Sequence, residues 1–63
     1  MNRDALLPLK NKHVQVRKID GFMLDGELLE VWDDAISILA DHKLRIIRLD
    51  QMVEVREYPH GRG

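Results

Sequence analysis

The stretch DGFMLDGELLEVWDDAISIL, residues 20–39, decides the fold. It opens on the turn dipeptide Asp20-Gly21 and runs through the largely apolar segment Phe22 to Trp32. It breaks at Asp33-Asp34 and resumes as Ala35-Ile36-Ser37-Ile38-Leu39-Ala40. Apolar runs of this length bounded by Asp and Gly read as two β-strands joined by a short acidic turn. Gly26 falls inside the first of them, where a glycine permits a bulge, a sharp bend or the close approach of another backbone. The second strand of the sheet is therefore expected to be long and strongly bent.

The same punctuation extends outward in both directions. Upstream, His13-Val14-Gln15-Val16-Arg17 alternates apolar with polar residues, the period of a half-buried strand. Downstream, Asp41-His42-Lys43 is a tight connection, Lys43 to Leu49 a fourth strand, Asp50-Gln51 a break, and Met52 to Arg56 a short fifth strand. Ile46 and Ile47, β-branched and mid-segment, favour strand over helix. Near the N-terminus Ala5, Leu6, Leu7 and Leu9 follow Asn2 and Asp4, either of which suits a helix N-cap, while Pro8 limits the helix to a turn or two within residues 2–9. Residues 58–63 read as a flexible polar tail. The expectation is one domain over residues 1–63: all-β (mainly β), with a short N-terminal helix followed by a five-stranded, strongly bent antiparallel SH3-like small barrel over 12–57.

Composition narrows the chemistry. A chain of 63 residues and 7.4 kDa has a small core, and such domains usually rely on disulfides, a structural metal or oligomerisation. With no cysteine, disulfides are excluded and a zinc site is disfavoured, which leaves self-association. A formal charge of −1 gives no global attraction to nucleic acid, so any such site must be a local patch. No segment approaches the length of apolar chain that spans a bilayer, and Met1-Asn2-Arg3-Asp4 has no secretory character, so a cytoplasmic protein without a membrane partner is expected.

Catalysis has few candidates. Nucleophilic chemistry needs a thiol, hydroxyl or amine beside a base, and the chain has no Cys, no Thr and a single Ser, Ser37. His13, His42 and His60 are dispersed without local ligand partners, so neither a metal nor a cofactor is expected. Asp33 and Asp34 are adjacent, which suits a turn better than an acid and base pair. No glycine-rich phosphate loop is present. The chain is not expected to be an enzyme.

Taken together, the short helix, the entry Asn11-Lys12-His13-Val14-Gln15-Val16 and the segment 20–39 resemble the Sm-like family of RNA-associated proteins, which includes Sm, Lsm and Hfq proteins. Gly21 and Gly26 have the spacing of the first Sm motif, Leu24 and Leu28 fall on its apolar positions, and Trp32-Asp33 is similar to its aromatic-Asp pair. IIRLDQMVEV at 46–55 is similar to the second motif at Ile47, Arg48, Asp50 and Met52, with Leu49 where the family has glycine. The short Asp41-His42-Lys43 link is closer to Hfq and minimal archaeal members than to eukaryotic ones.

The resemblance implies a homo-oligomeric ring of six or seven subunits that binds single-stranded RNA around its pore. The implied RNA-binding residues are Asp33, Ala35, Ser37, Arg48 and Asp50. Arg48 would supply charge, outweighing a cation such as Arg3. Asp33 would orient it, and Ser37 or backbone groups would touch bases. Ala35 takes the stacking position and cannot stack, and Ser37 replaces an Asn, so the uridine pocket is weakened. This pairing also requires one extra residue between Gly26 and Asp33, most simply a bulge. Lys18 and Ile19 invert the usual apolar and polar order, so the first strand is expected to change face near its end. The alternative is a Sm-like or SH3-like module used for protein interaction or assembly without RNA.

Overall fold

The computed structural model describes residues 2–58. Helix α1 (Arg3–Leu6) is followed by a 3₁₀ turn at Leu7–Leu9. Five strands come next: β1 (His13–Lys18), β2 (Met23–Val31), β3 (Ala35–Ala40), β4 (Lys43–Arg48) and β5 (Met52–Glu57). They form one antiparallel sheet in the order β4-β3-β2-β1-β5. Asn2 caps α1 by accepting the Asp4 N–H at 2.9 Å, and Pro8 sits in the first turn of the 3₁₀ segment, where its missing N–H is harmless. A helix of one turn is not stable alone. Leu6 anchors it by inserting into the core beside Val14, Val16, Leu28, Ile36, Ile38, Ile47, Leu49 and Met52. Leu49 is thus a core residue.

The shape of the sheet follows from one short connection. Strands β4 and β5 lie at opposite edges, yet only a 3₁₀ turn, Leu49–Gln51, joins them. From Arg48 to Met52 the chain can span at most about 14 Å fully extended. A flat sheet of this width would hold its edge strands about 19 Å apart. The sheet must therefore curl until its edges approach. Even so, the expected closure into a barrel does not occur: no ladder joins β4 to β5, and both remain edges. The connecting turn is fixed from two sides, with the Leu49 N–H donating to the Asp34 carbonyl at 2.8 Å and the Ile19 N–H to the Gln51 carbonyl at 3.0 Å.

Two irregularities in β2 accommodate the curl. At Gly26 the backbone of β3 presses so closely that a Cβ would collide with the Leu39 carbonyl, its carbon lying 2.9 Å away. At Leu29 the register against β3 shifts: Leu28 faces Ile38, Glu30 faces Ser37, and Leu29 is the extra residue of a bulge. The bulge lies between Gly26 and Asp33, the interval in which the resemblance implied an additional residue. A second register shift separates Arg17 from Lys18 on β1, at the point where the apolar and polar order inverts.

The turns use the residues their geometry demands. Asp41 and His42 both have positive φ, 53° and 62°, the signature of the two-residue hairpin that follows strand twist. Gly21 has φ 89°, and Asp20 closes the same turn by accepting the Phe22 N–H at 2.9 Å. No helix among the described residues is long and apolar enough to cross a membrane. The tail expected at 58–63 lies outside the described residues except for Tyr58, whose N–H donates to the His13 carbonyl at 2.8 Å and extends the β1–β5 pairing by one step.

The two turn and bend glycines are expected to differ in cost. Gly26→Ala must displace backbone and should cost about 3 kcal/mol or more, the upper range for overpacking. Gly21→Ala meets open space and should cost only its left-handed backbone, about 1 kcal/mol. Urea midpoints of the two variants check this, and equal midpoints would show that the β2–β3 approach is not tight.

Candidate functional site

The end of the sheet that carries the β2–β3 turn and the β4–β5 link gathers most of the residues singled out by the sequence. The Trp32 N–H donates to the Ala35 carbonyl at 2.8 Å, closing the Asp33-Asp34 turn, and Ala35 lies directly opposite Arg48 on β4. The bond from Leu49 to Asp34 then ties the link to the turn. Between them is a shallow recess of about 260 Å³ lined by Asp33, Asp34, Arg48, Leu49 and Asp50. Asp33, Ala35, Arg48 and Asp50 are therefore neighbours, although they come from two segments separated by most of a hairpin.

Their ionic pairing differs from the expected one. Asp33 binds Arg3 of α1 at 3.1 Å, and Arg48 binds Asp50 at 3.1 Å, so Asp33 does not orient Arg48. Arg3 also lies 4.0 Å from Asp4. The group thus comprises four carboxylates, Asp4, Asp33, Asp34 and Asp50, and two guanidinium groups, a formal balance of −2. All of these ion pairs are solvent-exposed, and each adds at most about 1 kcal/mol. Their effect is on the local potential: without its aspartates the site would attract phosphate, and with them it is mildly repulsive. Arg3 belongs to this site rather than to a remote surface. Nothing local in the sequence pairs residue 3 with residue 33, since the contact exists only because Leu6 docks α1 on the core.

Ser37 and Ala35 are not laid open to a ligand. Ser37 is 3% exposed, and its Oγ accepts the Glu30 N–H at 3.1 Å. The hydroxyl thus satisfies the backbone of the residue that follows the Leu29 bulge, a donor that strand pairing has released. Ala35 is 8% exposed, set between its neighbours Trp32 and Arg48. The Arg48 side chain, by contrast, is 70% exposed.

A larger groove of about 530 Å³ lies at the opposite end of the sheet, between the start of β2 and β4. Its rim carries exposed Phe22 and Ile46 together with Lys18 and Arg45, which have no ion-pair partner among the described residues. No sequence signal pointed to it, because Phe22 reads only as the start of the second strand and its exposure is set by the fold. Among the described residues no group of three His, Asp or Glu side chains is placed to hold a metal ion. No family model, no curated protein and no solved structure matches the chain.

Ser37 provides a direct check of this geometry. Ser37→Ala strands the Glu30 N–H in a part-buried position and should destabilise the fold by about 1–3 kcal/mol. Chemical denaturation measures it, and a change below about 0.5 kcal/mol, the range of ordinary surface substitutions, would show that the hydroxyl does not support the bulge.

Proposed function

We propose that this protein is a non-catalytic, Sm-like sheet module that closes into a ring of its own copies, with six or seven subunits. The observation that carries this reading is the pair of unpartnered edges. Strand β4 presents Lys43, Arg45 and Arg48 among exposed Leu44 and Ile46, and β5 presents Glu54 and Glu57 beside exposed Val53. Each edge offers unpaired N–H and C=O groups, which sheets ordinarily protect. One edge is purely basic and the other predominantly acidic, so addition of β5 from one copy to β4 of the next is electrostatically favoured while β4 against β4 is not. A head-to-tail contact of this kind generates a ring when its rotation closes. It also adds the buried area that a 63-residue core lacks.

RNA binding is the second reading, supported by the exposure of Arg48, which ring symmetry would repeat around one face. Such a site would engage phosphate more than base edges, because Ser37 is committed to the backbone and Ala35 has no ring. The local balance of −2 keeps this contact weak and supports assembly as the primary role.

Two measurements test these readings. Native mass spectrometry is expected to show six- or seven-fold multiples of the 7.4 kDa chain, and the double variant Ile46→Asp with Val53→Asp, both exposed in the single chain, is expected to run as a folded monomer. A parent protein that is mainly a 7.4 kDa species at micromolar concentration contradicts the ring. Titration of labelled oligo-uridine and oligo-adenosine at two salt concentrations is expected to give weak, salt-sensitive binding with less than about a tenfold difference between bases, or 1.4 kcal/mol. Arg48→Ala is expected to abolish it without changing the mass. Binding that survives Arg48→Ala unchanged would place the RNA contact on another face.

A further inference from the structure

We propose that the first half of β2 is a docking edge for an extended peptide of a partner protein, bound by strand addition in the groove between β2 and β4. The peptide alternates acidic and apolar side chains. This surface is independent of the ring, which uses the outer edges of β4 and β5.

Strand β1 covers β2 from Met23 to Glu27, whereas β3 covers it only from Glu27 onward. Residues 23–26 are therefore paired on one side alone. In an antiparallel ladder alternate residues bond to one neighbour, and the residues between them face the other way. The bonds from the Lys18 N–H to the Phe22 carbonyl and from the Leu28 N–H to the Lys12 carbonyl fix the phase. Phe22, Leu24 and Gly26 turn their backbone toward β1. Met23 and Asp25 turn theirs away, and their N–H and C=O groups have no backbone partner among the described residues. Strand β3 never reaches them, because the chain turns at Asp41 and His42. Uncovered backbone of this kind is a template for another strand, and only a polypeptide supplies the matching donors and acceptors.

The groove runs along this stretch, with residues 23–26 on one wall and residues 45–47 of β4 on the other. Its volume of about 530 Å³ lies within the usual range of ligand sites. Side chains of an added strand alternate between two surroundings. On the inner face are Lys18, opposite the core residue Met52, and Arg45, opposite the core residue Ile38. Neither cation has an ion-pair partner among the described residues. On the outer face are Met23, Leu39 and Ile46, all exposed. The carboxylates of the groove lie elsewhere: Asp25 is on the outer face, held by His13 at 3.1 Å, and Asp41 is in the β3–β4 turn. A strand with carboxylates at every second position thus meets Lys18 and Arg45 with one face and apolar side chains with the other.

The experiment titrates a fluorescein-labelled peptide of alternating glutamate and valine into the full chain, reading anisotropy, and follows the backbone amides of the isotope-labelled protein by NMR. The expected result is saturable binding that weakens as salt rises. The Met23 and Asp25 amides should move downfield and show cross-strand nuclear Overhauser effects to the peptide, while Leu24, already bonded to β1, moves little. Met23→Pro removes one of the two free donors at the first position of a strand, where proline is tolerated. It should weaken binding about tenfold with native mass unchanged. Lys18→Gln should weaken binding severalfold and flatten its salt dependence. Unmoved Met23 and Asp25 amides, shifts confined to β4 or β5, equal binding of a lysine and valine peptide, or no binding up to millimolar peptide each overturn the inference. Native mass reports separately on the ring.

Discussion

A three-residue connection between opposite edges of one sheet governs this molecule. Because Leu49–Gln51 cannot span the width of a flat five-stranded sheet, the strands must curl. Everything distinctive about β2 serves that curl. Gly26 lets the Leu39 backbone approach, and the Leu29 bulge adds a residue to the outside of the bend. Ser37 then satisfies the amide that the bulge frees. The same connection pulls the β2–β3 turn and the end of β4 together through the bond from Leu49 to Asp34, and so assembles the candidate site. Fold and site have one mechanical origin.

Curling stops short of closure, and that incompleteness leaves two strands as edges. A closed barrel abolishes its edges, whereas this sheet retains two. They are unlike: β4 is basic with exposed isoleucine and leucine, β5 mostly acidic with exposed valine. In a single copy their polar backbone depends on water and their apolar side chains remain wet. Union of unlike edges between copies removes both costs, which makes assembly the most economical reading of the surface. The acidic surroundings of Arg48 place RNA second to it.

Much of this was legible in the sequence where the signals are local. Strand β3 begins and ends where Asp33-Asp34 and Asp41-His42 punctuate it, because those residues favour turns for short-range reasons. An N-cap at Asn2 or Asp4, of which the fold uses Asn2, and the close backbone approach at Gly26 were local too, whereas the extra residue before Asp33 was implied only by the family resemblance. The features that escaped are set by long-range packing. Strict alternation puts Ser37 on the face away from Ile36 and Ile38, and its burial there depends on the interior position of β3 between β4 and β2. The Arg3–Asp33 pair requires α1 to dock, and whether β4 meets β5 depends on the summed twist of all the strands. The exposure of Trp32 could not be distinguished from core burial by its motif position, since an aromatic residue at a strand end is compatible with either.

Hydrogen exchange at the edge strands tests the central claim most directly. Within one copy, the outward-facing amides of β4 and β5 have no strand partner, so they should exchange as quickly as those of exposed turns. If copies join edge to edge, those same amides will be protected to nearly the level of the central strands, and protection will fall on dilution below the assembly threshold. Rapid exchange along both edges at high protein concentration, with β1, β2 and β3 fully protected, would contradict the account.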